Sequence, residues 1–568
     1  MQAATVQGGW ERLFPELDGR SDELADLLRR LDDVTPPAAP SLPAGSSRPG
    51  AAGSLGPEEA HGLFGALPTL LLGDLPTVAT EALRCHPLLA DPARVARALR
   101  AELTEGATRL LARTLLGHLH AGRRAGLLRG ATPQERFADF LARATTPAGL
   151  AEIGETCPGL LAHVREVAAR RITAVRGQLD ATAQAWPQLA ARLPGVGRHD
   201  RVVEVRLGAG DTHGLGQSVS VLVLDSGAGV VCKPRDLRVE QGTGRLLAWL
   251  GDRVDADLAA PATVCGKGLG WAEHVEAGRP GAGWWRGVGV LLAGLYLLEG
   301  TDLHYENLLT DAAGRPVLVD TEAVLTPRLR VPGGAHDDGR LLGVAATGLL
   351  SARVTAGDGR TLDAGALAYR PGVSPFGTWQ VERPGRDDMA LRMAPAEVAH
   401  PAPTDGLVRG RAERSALLAG LGDALAHVLS DRAAWCRRVR AELGEGTVRY
   451  LHRPTMLYAQ VQRTATHPSL AGGTQRRRRA LGRLAVLAPS GPSTPWPIVA
   501  SEVRQLLAGD LPSFHVPVRG RSLLDGHGTD TGVACHPPLE RTLAAVAALD
   551  EEQAAAQVAV AARTLGEW

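Results

Sequence analysis

Residues 301–322 read TDLHYENLLTDAAGRPVLVDTE: a polar loop, then an alternating apolar run that predicts a β-hairpin ending in two acids. Asp302, His304, Asn307, Asp320 and Glu322 all fall in this one unit. An enzyme that transfers a phosphoryl group needs an acid beside the attacking hydroxyl, and an amide and a carboxylate to hold Mg2+ against the ATP phosphates. Protein kinases space the first acid and the amide as D-x-x-x-x-N and put the metal carboxylate at the end of the next hairpin strand. Asp302 to Asn307 has that spacing, and Asp320 ends the run GRPVLVD that would carry it back beside Asn307. An Asp or an Asn alone more often caps a helix or a turn. Two acids, a histidine and the chain's only asparagine, in this order, outweigh that account.

Outward toward the N-terminus, WWRGVGVLLAGLYLLEG (284–300) reads as an amphipathic helix feeding the loop. Further up, RVVEVRLGAGDTHGLGQSVSVLVLDSGAGVVCKPRDL has a period of two broken by glycine-rich turns, an antiparallel meander. Gly208, Gly210 and Gly214 lie in its first turn, where backbone N–H groups could lie over phosphates, although glycine turns also join most hairpins. Lys233 sits on the last strand, where the kinase arrangement needs an ammonium for the α- and β-phosphates. Of the 62 basic residues only Lys233 and Lys267 are lysines, so one of two falls at this place. Lys267, between glycines, reads as an ordinary loop lysine. Glu240 opens the next helix and is either the ion-pair partner of Lys233 or a first-turn acid complementing the helix dipole.

Composition bounds the rest. The 568 residues are 44% hydrophobic and 22% charged with a net charge of +1, an ordinary globular balance with no global field for nucleic acid or an anionic membrane. Six dispersed cysteines without a C-x-x-C give neither a disulfide framework nor a zinc ribbon. The N-terminus has no basic region followed by an apolar stretch, and the run from Val288 to Leu298 is too short to cross a bilayer. A cytoplasmic chain without membrane insertion is the expectation. Its organisation reads as a helical arm (1–33), a linker rich in Pro, Ala, Gly and Ser (34–60), a helical N-terminal domain (61–200), a kinase-like N-lobe (201–265) and the catalytic loop and metal-binding hairpin (266–330). A long insertion of low periodicity (331–412) and a C-terminal helical lobe (413–568) complete it. No internal repeat is visible.

A second cluster lies in TVRYLHRPTMLY. If extended, Arg449, Leu451, Arg453 and Thr455 share one face, and two guanidiniums with a hydroxyl could grip a phosphate. A solvated strand face is the plainer reading of the local sequence. Arg476 to Arg479 read as a solvated helix start, since no aromatic residues interleave them for nucleic-acid stacking.

Taken together, the blocks GDTHGLGQSV, VCKPRDL, WWRGVGVLLAGLYLLEGTDLHYENLL, GRPVLVDTEAVL, RYLHRPTMLY and LLAGDLPSF resemble, in order and spacing, the dehydratase portion of the class II lanthipeptide synthetases, the LanM enzymes. The resemblance covers most of the chain beyond residue 60. It implies an α+β fold with a distant lipid-kinase-like, two-lobed core, an N-terminal helical domain and a long activation-region insertion. It also implies an enzyme that uses ATP and Mg2+ to phosphorylate Ser and Thr of a lanthipeptide precursor peptide, leader plus core, and then eliminates the phosphate to give dehydroalanine and dehydrobutyrine. By position, Lys233 and the glycines 208, 210 and 214 would bind ATP, Asp302 and His304 would serve the reacting centre, and Asn307 and Asp320 would hold Mg2+. Glu322 matches the family's second acid, and Arg449 and Thr455 match the pair linked to elimination. Asp211 and His213 match another active-site pair, which the resemblance leaves unassigned between the two half-reactions.

The chain departs from the family pattern in three places. A Tyr-Pro before a helix of the N-terminal domain is Cys157-Pro158 here, and a proline of the activation region is replaced by Ser351. Full LanM enzymes continue into a zinc cyclase with a Cys-His-Gly motif, whereas the Cys-His pairs here, Cys85-His86 and Cys535-His536, are each followed by proline. No zinc and no ring closure are therefore expected of this polypeptide, which is either a stand-alone dehydratase with a separate LanC-like cyclase as partner or one domain of a longer product. Two alternatives stand beside the dehydratase: a kinase-like phosphotransferase without elimination, and a leader-peptide-binding scaffold.

Overall fold

The computed structural model describes residues 14, 17, 19–38, 62–330, 339–355, 359–398, 410–487 and 494–566. The linker expected over 34–60 lies outside the described residues from 39 onward. Four helices between 92 and 192 begin at a proline: Pro92–Arg124, Pro133–Ala144, Pro147–Thr156 and Pro158–Arg192. Proline costs nothing there, because the first N–H of a helix has no partner within it. Asp91 and Thr146 cap two of them, and Thr132 with Glu135 makes a reciprocal capping box on a third. Along Pro92–Arg124, Val95, Leu99, Leu103, Ala107, Leu111, Leu115 and Leu119 are buried at every fourth position, one stripe facing its neighbours.

That helical layer shares its core with a five-stranded antiparallel sheet in the order β1-β2-β3-β5-β4: β1 Val202–Arg206, β2 Ser220–Leu224, β3 Gly229–Lys233, β4 Thr263–Cys265 and β5 Gly270–Glu273. In β2 the buried residues Ser220, Leu222 and Leu224 alternate with Val221 and Val223, so one face turns to the helices. Trp271 on β5 donates its indole N–H to Thr182 of the Pro158–Arg192 helix at 2.9 Å, tying sheet to helix.

A second core surrounds the helix Trp284–Leu297. Amphipathic by its sequence pattern, this helix is in fact buried on nearly every side; only Arg286 remains partly exposed. Glycines explain how closely it is wrapped: a Cβ on Gly289 would lie 2.0 Å from the Leu417 carbonyl oxygen, and one on Gly420 would lie 2.2 Å from that of Arg286. Only glycine lets the helix Arg411–Ser430 approach to backbone contact. The hairpin β6 (Leu308–Thr310) and β7 (Pro316–Leu318) follows as expected from GRPVLVD.

Two regions differ from the sequence expectation. Within 331–412 the described residues hold strands as well as loops: β8 (Arg353–Thr355), β9 (Thr361–Asp363) and a long hairpin of β10 (Gly372–Glu382) and β11 (Ala390–Val398). The region 413–568 is not wholly helical. Its strands β12 (Thr447–Tyr450), β13 (Phe514–Pro517), β14 (Ser522–Asp525) and β15 (Asp530–Ala534) form a four-stranded antiparallel sheet. The fold is mixed α/β with several small antiparallel sheets. Among the described residues no helix is long and apolar enough to cross a membrane, and all six cysteines are free.

Candidate active site

The hairpin sets the first half of the site. Pairing of Leu308 with Leu318 puts Asn307 opposite Val319, whose N–H donates to the Asn307 carbonyl at 3.1 Å, so Asp320 emerges one residue further on. The Asn307 Nδ2 donates to the Asp302 carbonyl at 2.9 Å, which leaves Oδ1 as the amide atom offered to a cation. Asp302 takes a left-handed backbone conformation, φ 64°, uncommon for a residue with a side chain and frequent at functional sites. Burial raises the Asp302 pKa; His304 and Arg449 pull it back, and the carboxylates of Asp320 and Glu322 push it further up. Leu303 and Tyr305 are held by backbone bonds to Thr347 and Ala364, so the region after residue 339 braces this loop.

The second half of the site is built on β3. Lys233, 6% exposed, gives its ammonium to Glu240 and to the Val319 carbonyl, immediately before Asp320. Of the two readings of Glu240, the structure adopts the ion pair. Two residues on, Arg235 meets three carboxylates: Asp320 at 2.7 Å, Glu240 at 3.1 Å and Glu322 at 3.2 Å. Burial works against its charge, yet Asp320, Glu322 and Glu240 together hold its pKa above the ordinary arginine range. Sequence reasoning passed over Arg235, because nothing distinguishes it from the other arginines of so arginine-rich a chain.

Arg449 enters from β12. Its side chain binds Glu322 at 2.5 Å, and its N–H donates to the Glu322 carbonyl at 3.0 Å. Burial would raise the Glu322 pKa, but Arg235, Arg449 and His515 around it hold the carboxyl well below the usual carboxylate range. His515, opposite Arg449 on β13, is pushed down to about 4, chiefly by burial, and was also missed. Thr455 is the first residue of the helix Thr455–Ala465, and no hydrogen bond among the described residues joins it to Arg449.

The glycine-rich turn carries Asp211 and His213 to the Arg449 side. His213 is lowered in pKa by burial and then by Arg449, against the Leu511 carbonyl, Asp211 and Glu322. The N–H groups of Ala209, His213, Leu215, Gly216 and Gln217 are all spent on protein acceptors. A Cβ on Gly208 would face Glu102, one on Gly210 Val219 and one on Gly214 the Gly526 carbonyl; none of the three would meet Lys233, Asn307 or Asp320 within 4 Å.

Two arginine clusters differ from their expected surroundings. The strand through Arg449 stops at Tyr450, and Arg453 turns into the interior, where it is 5% exposed and bonds Glu502 at 2.7 Å. It is neither a second phosphate grip nor a solvated residue. Arg453→Met would leave Glu502, 0% exposed, without its cation; a loss of about 3–5 kcal/mol in urea-unfolding stability is expected. The run 476–479 is not a solvated helix start: Arg477 is 2% exposed, and Arg478 and Arg479 bind Asp32, docking the helix Ser21–Asp32.

Asn307 and Asp320 carry hard oxygen donors and flank the same end of one hairpin, and two protein oxygens plus substrate phosphates are the usual way Mg2+ is held. Among the described residues no group of three or more His, Cys, Asp or Glu is arranged to hold a metal by itself. Comparison with curated proteins returns no match. A family model described as a domain of unknown function (DUF4135) matches residues 158–517, more than half of the chain and a span that contains every candidate site residue named above. The chain therefore belongs to the DUF4135 family.

Proposed function

We propose that the chain is a lanthipeptide dehydratase of the LanM type, with a core distantly like that of lipid kinases. The observation that carries this reading is Glu322: two residues from the metal-side Asp320, it holds Arg449 of β12, so a phosphate-gripping cation is brought against the hairpin that carries the phosphoryl-transfer set. Asn307 and Asp320 would hold Mg2+, and Lys233 would bind the ATP phosphates. The metal would screen charge on the transferring phosphoryl group.

In the first half-reaction Asp302 takes the proton of a Ser or Thr hydroxyl. The Oγ–P bond forms, the bond to the ADP oxygen breaks, and His304 lies beside the reacting centre. In the second a base removes the Cα hydrogen, the Cβ–Oγ bond breaks, and phosphate leaves against Arg449 as the double bond forms. The sum is precursor peptide and ATP giving dehydrated peptide, ADP and phosphate.

Intact peptide masses after incubation with ATP, Mg2+ and the precursor peptide encoded nearby separate the alternatives. Loss of one water per modified residue supports the dehydratase; a stable phosphate addition supports a plain kinase, and an unchanged mass a scaffold. The raised Asp302 carboxyl adds a pH prediction. Below its pKa it is protonated and cannot accept the hydroxyl proton, so phosphate transfer falls on acidification at a pH above the ordinary aspartate value of 3.8. Initial rates against pH read this limb, and Asp302→Asn abolishes it with a loss of about 10²–10⁴ in rate.

A further inference from the structure

We infer that Asp510 is a positioning residue for the elimination half-reaction, which fixes the loop carrying Asp211 and His213; this rests on the dehydratase reading. Asp510 lies just beyond the helix Trp496–Ala508 and is 0% exposed, and among the described residues no hydrogen bond or ion pair joins it to Lys233, Asp302, Asn307 or Asp320. Its two oxygens accept the N–H groups of Leu215 at 2.7 Å and Gly216 at 2.9 Å, and His527 Nε2 lies 3.1 Å from Oδ2. The next residue grips the same loop twice: the Leu511 N–H donates to the Thr212 carbonyl at 2.8 Å, and the Leu511 carbonyl lies 2.6 Å from His213 Nδ1. Between these grips the loop closes on itself through mutual His213 and Gln217 backbone bonds of 2.8 Å. From the opposite side Arg171 donates to the Gly216 carbonyl at 3.1 Å.

Each grip has a chemical consequence. Leu215 holds a left-handed φ of 68°, a conformation strained for a side-chain-bearing residue that persists only against such anchors. A carbonyl can only accept, so the bond to Leu511 keeps the His213 proton on Nδ1 and leaves Nε2 able to take one up. Segment 510–511 thus sets both the place and the tautomer of a histidine that shares its surroundings with Arg449 and Glu322. No bond joins the loop to Lys233, Asn307 or Asp320 among the described residues, so phosphate transfer does not depend on it.

Asp510→Asn keeps the shape but turns an amide NH2 toward backbone N–H groups. Phosphate elimination from the same precursor peptide, synthesised with phosphoserine, should then fall roughly 10- to 100-fold in kcat with KM unchanged, the effect of a small misplacement. Phosphate transfer to the unmodified peptide should stay within about threefold. Gly216→Ala, whose Cβ would lie 3.0 Å from the Arg170 carbonyl carbon, displaces the loop from the other side and should reproduce the selective loss. His527→Gln leaves both loop bonds and should eliminate nearly as the parent does. Amide hydrogen exchange over 207–217 reads the position without any turnover and should quicken in Asp510→Asn. Equal losses in both half-reactions, unchanged exchange, or a His527→Gln defect as large as that of Asp510→Asn would overturn the proposal. Failure of the parent protein to modify either peptide counts instead against the dehydratase reading, while exchange still decides the loop.

Discussion

Asp320→Ala is expected to leave the precursor peptide at its unmodified mass, with phosphate transfer reduced about a thousandfold or more. The size follows from the donor set. Asp320 and Asn307 are the two oxygens the β6–β7 hairpin offers to a divalent cation, and only Asp320 is charged. Without it a bound metal would keep one neutral protein ligand, and the charge on a transferring phosphoryl group would lose its main counterweight. The fold should survive, because Arg235 keeps Glu240 and Glu322 after losing Asp320. The thermal midpoint should therefore move little while activity disappears, and Asp320→Asn, which preserves the oxygen and the volume, should lie between the two.

Arg449→Ala should give the opposite product: phosphopeptide accumulates and dehydrated peptide does not appear. Removing one preorganised stabilising group from a reacting centre commonly costs 10²–10³ in rate, and here the cost falls on the step that expels phosphate. Glu322 remains paired with Arg235 at 3.2 Å, so no buried carboxylate is stranded. Arg449 also opposes the rise of the Asp302 pKa. Its loss should move the acid limb of phosphate transfer to higher pH, a second readout of the same substitution. Normal elimination by Arg449→Ala would remove Arg449 from the elimination step.

Much of the site was legible because it is local. Asp302, Asn307 and Asp320 are joined by a five-residue loop spacing and one short hairpin, and both follow from turn chemistry and alternation. Lys233 stood out because almost every other positive charge is arginine. Arg235 was hidden among the other arginines, and its partner Asp320 lies 85 residues away; Asp510 acts on Leu215, 295 residues away, and no local pattern marks it. Strands β13 to β15 are three short segments among Gly, Asp and Pro, fixed by pairing in a sheet whose first strand, β12, lies 64 residues before β13, and not by their own pattern. The Trp284–Leu297 helix read as amphipathic, whereas its glycines mark close packing: Gly289 is where the helix Arg411–Ser430 presses in, Gly287 lies against Pro316 and Gly294 against Leu247.

The most direct measurement follows a radiolabelled γ-phosphate through a single turnover with excess enzyme. Label should appear on the peptide first, then pass to free phosphate in step with the dehydrated product, in a burst whose two phases Arg449→Ala uncouples. Label that remains on the peptide of the unmutated protein, or water lost with no labelled intermediate, would contradict a site that carries out both halves of the reaction.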